Sequence, residues 1–98
     1  MLYKKTPLHE AALYNRSNAV QWLLSKGADL ESRDDDGWTP LIVAAANGHT
    51  QVVTMLLEKG ADVTASDNAG KTALDYAYGD TATILRVHSG NVFISLLN

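Results

Sequence analysis

The stretch from Gly27 to Leu41, GADLESRDDDGWTPL, is spelled again with substitutions from Gly60 to Leu74 as GADVTASDNAGKTAL, 33 residues later. The same offset aligns much of the chain. Thr6, Pro7 and Leu8 fall on Thr39, Pro40 and Leu41, and then on Thr72, Ala73 and Leu74. Ala11 and Ala12 fall on Ala44 and Ala45, Val20 on Val53, and Leu23 and Leu24 on Leu56 and Leu57. Gly27, Ala28 and Asp29 meet Gly60, Ala61 and Asp62, while Asp34 meets Asp67 and Gly37 meets Gly70. A catalytic loop has no reason to occur twice. Self-similarity at a fixed period of this size marks a unit that cannot bury its apolar face by itself and stacks on copies of itself.

Each matched position has a local cause. Thr followed by Pro suits a helix start, because the hydroxyl accepts from a free amide and Pro tolerates the first helical position. Leu8, Ala11 and Ala12 share one face of a short helix, and their small partners let a neighbour approach closely. Asn15 and Gly48 stand where the chain must turn, and both residue types tolerate a left-handed conformation. A second helix follows, with Ala19, Val20, Leu23 and Leu24 as its stripe in one unit and Val52, Val53, Leu56 and Leu57 in the next. Gly27 and Gly60 read as left-handed C-caps. Asp34 to Gly37 and Asp67 to Gly70 carry tight-turn chemistry.

TPLHEAA (6–12), LLSKGADL (23–30) and DGWTPL (36–41) resemble the ankyrin repeat, with its period of 33 and its T-P-L-H-x-A signature. The likeness covers residues 1 to about 78. It implies an all-α solenoid of stacked helix-turn-helix units with projecting hairpin-like loops. The expected units are 1–33, 34–66, and a divergent third with a C-terminal cap over 67–98. His9 keeps the family's histidine, whereas Ile42 and Asp75 replace it, so its hydrogen bond is expected to be missing from the second and third units. After Tyr78 the register breaks. One reading inserts seven residues between the helices of the third unit, since Val92, Phe93, Leu96 and Leu97 repeat the spacing of Val52, Val53, Leu56 and Leu57 at an offset of 40. The other, which we prefer, has Asp80 cap a short second helix running through Val87.

Composition narrows the function. The chain is 46% hydrophobic and 19% charged, ordinary for a folded domain, and its net charge is -3 without a Lys/Arg cluster. Nucleic acid is therefore not an expected partner. No apolar run approaches the ~18 residues of a membrane span, so no membrane is expected either. Cysteine is absent from the sequence. That rules out thiol catalysis and Cys-based zinc sites, and it fits an intracellular, cytoplasmic setting.

No catalytic site, metal site or cofactor is expected. His9, His49 and His88 lack partners at metal-ligand spacing, and His9 and His49 occupy positions where the resemblance implies a structural hydrogen bond. SRDDDG (32–37) fails as a calcium loop, because Val43 stands where a bidentate Glu is required. It reads as a solvated turn that offers carboxylates to a basic partner. No serine lies in a nucleophile elbow, and no glycine cluster forms a phosphate cradle.

With the stripes used for stacking, recognition falls to loop tips and the exposed side of the first helices. The resemblance implies the same surface for a protein partner. At the loop tips it selects Tyr3, Lys5, Arg33, Asp35, Asp36, Trp38, Asn68, Ala69 and Lys71. On the first helices it selects Leu13, Tyr14, Ala46, Asn47, Gly79 and Asp80. Trp38 has Lys5 and Lys71 as counterparts, so it reads either as an exposed anchor or as a ring laid over the next loop. Trp22 aligns with Met55 and is expected in packing. The alternative function is self-assembly as a homodimer or by segment exchange, through the apolar residues Phe93, Ile94, Leu96 and Leu97.

Overall fold

Every unit begins at a threonine. Thr6, Thr39 and Thr72 hold extended backbone, and their hydroxyls accept from the amides of His9, Ile42 and Asp75 in the first turns that follow. The computed structural model describes residues 5–90; Tyr3, Phe93, Ile94, Leu96 and Leu97 lie outside that range. The capped first helices are α1 (Pro7–Leu13), α3 (Pro40–Ala46) and α5 (Ala73–Tyr76). They alternate with α2 (Ser17–Ser25), α4 (Thr50–Glu58) and α6 (Gly79–His88). Among the described residues no helix is long and apolar enough to cross a membrane.

Packing runs from neighbour to neighbour. α1 packs on α2 and α3, α3 on α4 and α5, and the second helices stack as α2 on α4 on α6. Leu8, Val20, Leu41, Val52, Val53, Leu56 and Leu85 are buried in one continuous core. Each such side chain contributes about 1.5–3 kcal/mol on burial. Ala11, Ala12, Ala44 and Ala45 are also buried, and their short side chains let the first helices stack closely.

Two histidines cross between units. The Thr6 amide donates to His9 Nδ1 at 3.2 Å, so the ring proton sits on Nε2, which donates to the Trp38 carbonyl at 2.7 Å. His49 Nε2 likewise lies 2.8 Å from the Leu13 carbonyl. The expectation for Asp75 needs correcting. Its carboxylate accepts the Thr72 amide at 2.9 Å, which preserves the within-unit half of the His9 pattern. Ile42 has no polar atom to offer and is buried instead.

Neither reading of the third unit is right in full. α5 stops at Tyr76, Ala77 is extended, and α6 starts at Gly79. The left-handed glycines that end the second helices are Gly27, Gly60 and Gly90. Gly90 follows Gly60 by 30 residues, where Gly60 follows Gly27 by 33, so the third unit has lost three residues and gained none. Asp80 does not cap α6. Tyr78 holds the cap position, and Asp80 sits in the first turn, where its charge meets the positive helix end.

The loops between units are hairpins built on one aspartate each. Asp34 Oδ1 accepts the amides of Asp36 and Trp38, both at 2.9 Å. Asp67 Oδ1 accepts those of Ala69 and Lys71 at the same distances. Gly37 (φ 79°) and Gly70 (φ 78°) close the two turns. A Cβ on Gly37 would lie 2.5 Å from Asn68 Oδ1 and 2.9 Å from its amide nitrogen, whereas one on Gly70 would meet nothing within 4 Å. Gly70→Ala therefore carries the left-handed strain by itself, about 1 kcal/mol. Gly37→Ala adds the clash with the next loop and should cost about 1–2 kcal/mol more. Urea unfolding followed by circular dichroism measures both.

Candidate partner-binding surface

The loops hold each other through the backbone. Asn68 donates its amide to the Asp36 carbonyl at 3.0 Å and its side-chain nitrogen to the Asp35 carbonyl at 3.1 Å. Arg33 Nη1 donates to the Gly37 carbonyl at 2.9 Å and also to that of Ser66. The Glu31 carboxylate accepts the Asp62 amide at 2.8 Å. Arg33 and Asn68, selected from the sequence as partner contacts, thus hold the loop row together.

Trp38 is half-buried, and it packs on the next unit. Its ring lies 4.9 Å from that of Tyr76, tilted by 46°. The Tyr76 hydroxyl donates to the Asp67 carboxylate, and Lys71 Nζ stands 5.7 Å above the Tyr76 ring. The Tyr76 hydrogen bond, with those of the Lys71 and Ala69 amides, holds the Asp67 carboxyl below the usual carboxylate range, against the opposing effect of burial. The same bond to Asp67, with burial, raises the Tyr76 hydroxyl. Tyr76 and Tyr78 flank Ala77 in the sequence, an arrangement that predicts at least one of them packed, and Tyr76 is that one. Its counterparts Glu10 and Val43 share nothing with it, so the period carried no signal.

One open edge of Trp38 faces a depression of about 190 Å³ lined by Lys5, Leu13, Asp34, Asp36, Trp38, Val43 and Asn47. Five of the sequence-selected residues meet there: Lys5, Leu13, Asp36, Trp38 and Asn47. The volume is below the ~300 Å³ of small-ligand pockets and suits one or two inserted side chains. Ala46 lies half-buried beside Asn47, and Asp35, Ala69 and Lys71 are exposed further along the loop row.

Three placements differ from the sequence reading. Gly79 and Asp80 belong to α6, not to a first helix, because α5 ends three residues early relative to α3. Trp22 is 60% exposed rather than packed, since no unit precedes α1 and α2 among the described residues. Tyr14, 59% exposed, lies with Trp22 on the groove between α1 and α2 and not at the Trp38 depression.

The loop-to-loop stapling and paired helices agree with the comparison to known families. A family model described as ankyrin repeats, in three copies, matches residues 8–94. The chain belongs to the ankyrin-repeat family. Ankyrin repeats are generally protein–protein interaction modules and generally non-catalytic. Among the described residues no three His, Asp or Glu side chains gather as a metal site.

The Asp67 bond gives this ankyrin chain an acid-sensitive joint. A carboxyl depressed in the folded state contributes stability above its unfolded pKa and loses it as pH falls through the folded one. Tyr76→Phe removes the largest cause of that depression. The variant should unfold at a lower temperature than wild type at pH 7, and the gap should close below about pH 4. Melting curves across that pH range check it.

Proposed function

We propose that the chain is a non-catalytic module that binds a partner protein along its loop tips and first helices, centred on the depression between the first two units. The observation that carries this reading is the meeting of Lys5, Leu13, Asp36, Trp38 and Asn47 around one concavity. Trp38 is held there by Tyr76, so its exposed edge is already fixed in place, and a fixed aromatic edge binds at low entropy cost. Lys5 and Asp36 put opposite charges on the rim, which orients a partner more than it adds affinity.

The loop row extends the surface through Asp35, Ala69 and Lys71. Arg33 and Asn68 serve it indirectly, by fixing one loop against the next.

The test is affinity capture from the source lysate, comparing wild type with Asp36→Lys/Asn47→Arg. Both positions are exposed, so the double variant should fold as wild type does. We expect one protein to be retained by wild type and roughly tenfold less of it by the variant. Equal retention by both forms would remove the depression from the binding surface.

A further inference from the structure

A second groove runs between α1 and α2 on the side turned away from α3 and α4, about 710 Å³ in volume. Ala11, Ala19 and Leu23 form its floor, and Pro7, Tyr14 and Trp22 are exposed around it. The 33-residue register says what kind of object fits it. Ala19 and Leu23 match Val52 and Leu56, and Glu10 matches Val43. Those three counterparts are buried, in a unit that lies against α1 and α2. In the second unit this surface is therefore covered by helices. Among the described residues, the first unit leaves it open.

The substitutions at the open copy give the occupant's chemistry. Lys5 stands for Trp38, and Arg16 for His49. Lys26 Nζ lies 5.8 Å over the Trp22 ring, and Arg16 lies 5.6 Å from the Tyr14 ring. The groove's lining sets two cations, Lys5 and Arg16, against one acid, Glu10, with Lys26 beside the Trp22 rim, in a chain whose net charge is -3. We propose that this groove docks an amphipathic helix of a partner protein, its apolar face seated on Ala11, Ala19 and Leu23 and its flanks carrying Asp and Glu toward Lys5, Arg16 and Lys26. Tyr14 and Trp22 close over its sides. A second copy of the same groove would bring like charge to like charge. Residues 1–4 and 91–98 contain no Asp or Glu. The surface is separate from the depression at Trp38, and only Lys5 borders both.

The probe is a synthetic amidated peptide of about four helical turns, with leucines along one face and glutamates on both flanks. A second peptide carries lysine in place of every glutamate. Each is titrated into the full-length ¹⁵N-labelled chain. The glutamate peptide should shift the resonances of Ala11, Tyr14, Leu23 and the Trp22 indole N–H saturably, and leave Asp36, Asn47 and Lys71 unmoved. Its affinity should fall roughly tenfold from low to high salt, as expected for attraction between exposed charges. Trp22→Ala should weaken it, and Trp22 is exposed enough for that variant to fold. Arg16→Glu/Lys26→Glu should reverse the preference, so that the lysine peptide binds instead. Equal binding of both peptides, no binding of the glutamate peptide, or shifts centred on Asp36 and Asn47 would each overturn the proposal. So would binding that appears only after residues 1–4 are deleted, or a dimer by sedimentation that is lost in Trp22→Ala, since the groove would then be occupied by the chain itself. Loss of peptide binding at the α1–α2 groove leaves lysate capture through Asp36 and Asn47 untouched, so the two readings fail separately.

Discussion

No helix pair in this chain can bury its own apolar stripe, and everything else in the architecture follows from that shortage. Two short helices offer Leu8, Ala12 and Val20 on one side, and only the next pair covers them. The alanines set how closely the pairs approach, and the threonine caps set where each helix begins. His9 then fixes the rotation between neighbours, because its ring is held by Thr6 on one side and aims a single N–H at the Trp38 carbonyl on the other. Where Ile42 stands in the same place, the contact is apolar and non-directional. His49 restores a directional contact to the Leu13 carbonyl one helix later.

The loop row is a second spine, made of different forces. Asp34 and Asp67 each close a turn with one carboxylate oxygen, and the completed turns are stapled by Asn68 and Arg33 through backbone carbonyls. Because the staples end on backbone atoms, side chains such as Asp36 and Lys71 can vary without undoing the row. That separation lets one scaffold carry unrelated surfaces.

Much of this was legible in the residues. The period located Thr39, Pro40, Gly60 and Asp67 in their roles, because each role is local: a cap, a first turn, a left-handed stop, a hairpin. Legibility failed where the outcome depends on what lies beyond a unit. Trp22 and Met55 share a register but not an environment, since among the described residues a preceding unit lies beside Met55 and none lies beside Trp22. Trp38 was ambiguous for the converse reason: its partner Tyr76 sits 38 positions away at a site the repeat leaves free to vary. The second helix expected through Val87 is present as α6, and only its cap differs, since a deletion leaves no residue to notice. The signal for the shortened unit is the placement of Gly90.

Those three missing residues have a geometric consequence. The stripe of α6 that faces inward, Thr81, Ala82 and Leu85, repeats the spacing of Val52, Val53 and Leu56 in α4 but no longer falls 33 positions on. Val87 looks outward. A surface copied onto this chain from another ankyrin protein by simple counting would land correctly as far as Tyr76. Beyond it, every transplanted side chain would point along a different azimuth, and the end of the slab would have to be designed afresh.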